Sequence, residues 1–177
     1  VFGALSPGNT TLGVQRGTSG EVRIKIAGTP VRTVAELVEY LPLQVINADS
    51  FDLLTGSPGA RRRYLDWGVF HVEHGFFEAW QRYKKALSQR NAALRSGQKA
   101  SYCRLWDKEL DQAAQMIDMR RQNYLTELQP YLDRLINDFF HQEKVRLDYK
   151  RGWKNDQQLR IVLEQNLERD LRRGMTQ

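Results

Sequence analysis

Residues 75–95 read GFFEAWQRYKKALSQRNAALR. Phe76, Trp80, Tyr83, Leu87 and Leu94 recur at spacings of four, three, four and seven, the rhythm of one apolar stripe on an α-helix. After a loop at Ser96-Gly97-Gln98-Lys99 a second run begins. Leu110, Ala114, Ile117, Tyr124, Leu128, Tyr131 and Leu135 step at close to 3.5 residues, apart from a gap at Arg121. Two long amphipathic helices joined by a short loop predict an antiparallel helical hairpin. Pro130 is expected to kink or interrupt the second helix.

Working upstream, Ser57-Pro58 is an N-cap and first-turn pair that opens a helix, and His74-Gly75 is where that helix divides in two. Asp49 to Pro58 is rich in turn residues. Before it the chain reads as β with one helix. Gly13–Arg16 and Glu21–Ile26 alternate, with Val22, Ile24 and Ile26 on one face and Arg23 and Lys25 on the other. Gly17-Thr18-Ser19-Gly20 suits a hairpin turn between them, and Ala27-Gly28-Thr29-Pro30 a second turn. Thr33 and Glu36 form a capping box for a helix with Val34, Leu37, Val38 and Leu41 inward, ended by Pro42. Leu43-Gln44-Val45-Ile46 reads as a short buried strand. Downstream, Lys144–Tyr149 alternates strictly and reads as a strand. Asn155 or Asp156 then caps a last helix with Leu159, Val162, Leu163 and Leu167 inward. The fold class is α+β: a small, partly β lobe followed by a mainly helical domain, with a boundary near residues 70–76.

Composition narrows the function. The chain has 177 residues, 41% of them hydrophobic, enough to fold around one sizeable core or two small lobes. No apolar stretch approaches the ~20 residues that span a bilayer. Val1–Leu5 shows no signal-peptide pattern. Cys103 is the only cysteine, so no internal disulfide forms and a reducing, cytoplasmic setting is expected. The net charge is +6, and residues 51–100 hold nine Lys/Arg against four Asp/Glu. Such clustering attracts phosphates or anionic surfaces. A solvated basic face without a partner is equally compatible with charge alone.

No catalytic constellation is expected. His71 and His74 flank Glu73 at helical spacing but lack a third ligand, so no metal site is expected. Cys103 has no activating neighbour and reads as a packing residue. Asp107, Glu109 and Asp111 suit the dipole at a helix start. There is no GxxxxGK[ST] loop and no GxGxxG fingerprint. Arg61-Arg62-Arg63 lies in the first turns of a helix, where the dipole disfavours cations. Successive positions point about 100° apart, so one arginine is expected to pair with Asp66 or Asp52 while the others can meet phosphate. The plainer reading is a surface helix with internal salt bridges. Lys84, Lys85, Arg90 and Arg95 continue the charge along the next helix as a candidate phosphate track.

Asp49 to Asp66 reads DSFDLLTGSPGARRRYLD. Asp49, Leu53-Leu54, Gly56, Ser57, Pro58, Arg61, Arg62, Tyr64, Leu65 and Asp66 resemble a pattern of the RecF family. Ala48 departs from it, standing where that family usually has proline. Residues 65–68, 75–77, 89–95, 106–110, 151–153 and 163–170 resemble RecF too, so the likeness covers nearly the whole chain. The resemblance implies a bacterial DNA repair and replication protein, an ABC-type ATPase akin to Rad50 and SMC heads. Such a protein binds ATP with Mg, dimerises with ATP, binds single-stranded or gapped DNA, acts with RecR and RecO in loading recombinase, and serves the SOS response. It implies that Walker A would precede Val1, and that the signature motif, Walker B and D-loop would follow Gln177. On that reading no cofactor binds here, and the chain alone is no enzyme, though the intact parent would be a weak ATPase. Residues 1–70 would be the periphery of the ATPase lobe, 71–177 the helical arm, and Gln44 a nucleotide-sensing candidate. The alternative is a structural or dimerisation arm that contacts mediator partners without touching DNA.

Overall fold

The structure is a computed structural model describing residues 2–5, 10–41, 47–73, 75–97, 100–140, 144–154 and 156–177. The chain divides into two compact units, Val1–Ser57 and Pro58–Gln177. The division precedes the helix opened by Pro58 and does not follow it, so the expected boundary near 70–76 moves upstream.

In the first unit, β1 (Phe2–Leu5), β2 (Thr10–Arg16), β3 (Val22–Ile26) and β4 (Thr29–Val31) form an antiparallel sheet in sequence order. Leu12 pairs with Ile26 and Val14 with Ile24. Leu12, Ile24 and Ile26 are buried, whereas Val22, at the strand end, is exposed. The second expected turn shrinks to Ala27-Gly28. Both residues have positive φ, 49° and 80°, the two-residue geometry that matches strand twist. Thr29 and Pro30 therefore belong to β4, an edge strand that tolerates a proline. Helix α1 (Val34–Tyr40) carries the expected capping box: the Thr33 backbone N–H donates to Glu36 Oε1 at 3.0 Å, and the Glu36 N–H donates to Thr33 Oγ1 at 3.4 Å. The 43–46 strand, including Gln44, lies outside the described residues. The segment expected as turns is helical, with a 3-10 turn over Ala48–Phe51 and α2 over Asp52–Thr55. Gly56 closes α2 by donating its N–H to the Asp52 carbonyl at 3.0 Å, and a Cβ there would lie 2.5 Å from that same oxygen.

The second unit holds α3 (Pro58–Val72), α4 (Phe76–Arg95), α5 (Ala100–Arg104), α6 (Asp107–Phe140), α7 (Leu159–Gln165) and α8 (Leu167–Arg173). Gly75, at φ 77°, separates α3 from α4. Phe76 and Ala79 pack with Ile117, Ala86 with Leu110 and Leu163, and Leu94 with Cys103 and Leu167. As α4 advances its partners on α6 recede, so the two helices are antiparallel. Gly68 of α3 lies so close to Tyr124 that a Cβ would overlap its ring and hydroxyl. Burial raises the Tyr124 pKa.

Two expectations fail in this unit and a third is narrowed. Of the kink or interruption expected at Pro130, the interruption does not occur: α6 runs through it for 34 residues, since a proline removes one intrahelical hydrogen bond. The final helix starts at Leu159 with Gln158 as N-cap and divides at Asn166. Its cap comes from elsewhere: the Arg160 N–H donates to Asp111 Oδ1 of α6 at 3.2 Å. Lys144–Tyr149 joins no strand among the described residues. Its partners are side chains of α6. Gln129 donates to the Val145 carbonyl at 2.8 Å and accepts from the Leu147 N–H at 3.0 Å. Further along, Arg151 donates to Asp118 Oδ2 at 3.0 Å. The period-2 pattern survives, with Leu147 and Tyr149 half-buried between exposed neighbours, but against a helix.

Candidate nucleic-acid interface

Asp66 of α3 and Glu73, just beyond its end, are both taken up by arginines of α6, whereas Glu78 of α4 is exposed. Asp66 is clasped by Arg121 of α6, with Nε to Oδ1 at 2.7 Å and Nη2 to Oδ2 at 2.9 Å. Burial pushes the Asp66 pKa up, and Arg121 opposes that rise. Glu73 accepts from Arg120 at 3.1 Å. The expected lock between Asp66 and a neighbouring arginine of its own helix is therefore replaced by one to α6. Arg61, Arg62 and Arg63 are exposed on α3.

On α4, Lys84, Lys85 and Arg95 are exposed, and Lys84 Nζ lies 5.3 Å from the Trp80 ring centroid. Arg90 does not belong with them. It is fully buried. Its Nε donates to Asp107 Oδ1 at 2.8 Å, its Nη1 to Asp170 Oδ2 at 2.8 Å and to Thr176 Oγ1 at 2.7 Å, and its Nη2 to the Leu163 carbonyl at 3.4 Å. This removes Arg90 from the phosphate track, because a fully buried guanidinium with four of its five N–H groups on internal acceptors is out of reach of a phosphate. The signal is present in the sequence: Arg90 lies four residues from both Ala86 and Leu94, on the buried stripe.

The acidic start of α6 does more than complement a dipole. Asp107 holds Arg90, Asp111 caps α7, and Glu109 accepts from Arg82 Nε at 2.6 Å. Arg82 thereby keeps the Glu109 carboxyl below its ordinary pKa. Cys103 is buried in the third core cluster, and burial raises its thiol pKa. His71 contacts Trp67 and Phe70 edge-on, and burial lowers its pKa. His74 lies outside the described residues. Among the described residues no group of His, Cys, Asp and Glu could hold a metal ion, and no helix is long and apolar enough to cross a membrane. The family-motif residues serve geometry as far as they are described: Gly56 admits the close Asp52 carbonyl, Pro58 starts α3, and Leu65 borders the core cluster around Phe76.

No family model matches the chain. It is 47% identical to the DNA replication and repair protein RecF of Pseudomonas fluorescens Pf-5, over all of this chain and 49% of that protein. It is 49% identical to the protein of the same name from Stutzerimonas stutzeri A1501, over 94% of this chain and 45% of that one. The chain thus spans about half the length of the curated relatives it matches. A solved structure of RecF-ATPrS, described as a recombination mediator protein in the RecFOR pathway, aligns with a TM-score of 0.81 at 22% identity. It covers 96% of this chain and 49% of that one. A companion structure of RecF-ATP gives the same TM-score at 21% identity. These likenesses support the α+β fold.

Proposed function

We propose, from the premise that this chain belongs to the RecF family and spans about half the length of its curated members, that it is a DNA-contacting portion of a repair protein. In the intact protein it works with single-stranded or gapped DNA and supports recombinase loading at gaps. ATP with Mg, weak ATPase activity and an ATP-dependent homodimer belong to that whole protein. So do RecR and RecO as partners, the SOS response and a cytoplasmic setting. Residues 1–57 then form the periphery of an ATPase lobe and residues 58–177 the arm, with Gln44 a nucleotide-sensing candidate in the first.

One observation carries the DNA reading. On α3 and just beyond it, Asp66 and Glu73 are occupied by arginines of α6, while Arg62, Arg63, Lys84, Lys85 and Arg95 remain exposed and Glu78 is the exposed acid of α4. With cations outnumbering exposed carboxylates, this face presents net positive charge to phosphate. The test is fluorescence anisotropy with labelled DNA at low and moderate salt. Changing Lys84, Lys85 and Arg95 to Gln should leave folding intact, weaken binding for every sequence, and flatten the salt slope by about one for each phosphate no longer neutralised. Unchanged affinity and slope would remove this surface from DNA binding. A second reading, a dimerisation or docking arm that does not touch DNA, draws support from the exposed apolar end of α6 at Tyr131, Leu135, Phe139 and Phe140.

A further inference from the structure

The two basic groups are separated in sequence, and rings fill the space between them. Tyr64 and Trp67 are near-parallel, with centroids 6.3 Å apart and planes at 22°. Trp67 meets His71 edge-on at 4.6 Å, and His71 meets Phe70 at 5.2 Å. Phe70 meets Phe77 at 5.5 Å, crossing from α3 to α4. Phe77 and Trp80 are again near-parallel, at 6.3 Å and 11°, and Lys84 caps Trp80. Arg63 and Trp67 are four residues apart and share a face of α3. Trp80 and Lys84 do the same on α4. The result is one continuous aromatic strip with a cation at each end.

Part of this strip is core and part is not. Phe70 and Trp80 border the buried cluster around Phe76. Tyr64, Trp67 and Phe77 join none of the three clusters. Tyr64 is 43% exposed, and Trp67 and Phe77 are half-buried. Near-parallel rings with centroids this far apart are offset, so they do not cover each other's faces. Flat rings bordered by cations match a chain that alternates flat bases with phosphates. A duplex hides its base faces in its own stack, whereas a single strand can lay them on aromatic side chains.

We propose that Tyr64, Trp67 and Phe77 form a base-stacking strip for single-stranded nucleic acid, with Arg63 and Lys84 holding phosphates at its two ends. This rests on the DNA-binding reading above and adds which rings meet the bases. Strand form is then discriminated by the rings, and affinity for any phosphate backbone by the cations.

The test compares a labelled oligo-dT of about fifteen nucleotides with a duplex of equal length, using anisotropy and tryptophan emission on the 177-residue chain. Oligo-dT should quench tryptophan emission in the parent. The double change Tyr64→Ala with Trp67→Leu should weaken oligo-dT binding about tenfold and leave duplex binding unchanged, while Trp67→Phe should keep most of the affinity. Should the double variant lose its fold, Tyr64→Ala alone, at the exposed ring, carries the test with a smaller expected loss. Parental oligo-dT binding in the ring variants, or equal loss for oligo-dT and duplex, overturns the proposal. If Lys84, Lys85 and Arg95 changed to Gln weaken binding while the ring variants do not, the basic surface stands and the stacking strip falls. If neither set changes binding, both readings fall.

Discussion

From Asp107 to Asp118, α6 buries Leu110, Ala113, Ala114 and Ile117. From Tyr131 to Phe140, the same helix leaves Tyr131 69%, Leu135 54% and Phe139 70% exposed. The apolar spacing is alike in the two stretches, so the difference lies in what stands opposite. Helix α4 has 20 residues and α6 has 34, about 30 Å against about 51 Å at 1.5 Å per residue. Starting antiparallel from the loop, α4 and then α3 cover α6 as far as Tyr124. Beyond that point Gln129 holds the 144–149 segment at Val145 and Leu147, and Tyr131, Leu135 and Phe139 stay exposed. Periodicity thus tells which face of a helix is apolar, and the length of the partner tells how much of that face is buried.

The largest effect expected from this contrast is at Arg90. Arg90→Ala leaves Asp107 and Asp170 buried without their counter-charge, at a cost of about 3–5 kcal/mol and a melting midpoint lower by roughly 10 °C. Arg134→Ala, on the exposed half of α6, should move stability by less than about 0.5 kcal/mol. Equal melting curves for the two variants would mean that the buried pairings are not formed. Next comes the stripe itself. Leu110→Ala should cost about 2–5 kcal/mol and Leu135→Ala close to nothing, measured by urea denaturation. A comparable loss at Leu135 would show that a partner covers the far half in solution.

The smallest effect concerns His71. Its folded pKa lies below the ordinary value because burial disfavours the cation. The unfolded chain therefore takes up a proton first as pH falls. The contribution of neutral His71 is complete above about pH 6.5 and declines as pH drops from there toward the lowered folded value. Thermal melts from pH 5 to 7.5 should show a shallower pH dependence for His71→Phe than for the parent. An identical dependence would mean that His71 is as well hydrated in the folded chain as in the unfolded one.

Much of the fold is legible because its signals are local. The Thr33/Glu36 box, the break at Gly75 and the stripes of α4 and α6 all follow from spacing within one or two helical turns. What the sequence hides is long-range. Lys144–Tyr149 has the alternation of a strand, and nothing local says that Gln129 takes the place of a neighbouring strand. Asp111 looks like a dipole residue of its own helix until α7 is found on its carboxylate. At the candidate interface, exposed Lys84, Lys85 and Arg95 are readable from helical geometry. Arg90 joins them only when its charge is weighed above its place between Ala86 and Leu94, and the structure shows that place to be decisive. The two halves of the aromatic strip are helical neighbours, Tyr64 with Trp67 and Phe77 with Trp80, but their joining is not visible in the sequence, since it depends on how α3 turns into α4 and so brings Phe70 against Phe77.

The buried guanidinium also sets an order of events during synthesis. Asp170 and Thr176 follow Arg90 by 80 and 86 residues. At roughly 5–20 residues per second of translation, about 4–16 s separate the appearance of Arg90 from that of its second carboxylate. Throughout that interval the hairpin end around Leu94 and Cys103 lacks Leu167, and once Asp107 has emerged, 17 residues after Arg90, it is the only one of the two carboxylates present. A nascent chain can therefore zip the Phe76–Ile117 end of the hairpin early, while the Arg90 end stays wet until α8 arrives to close it.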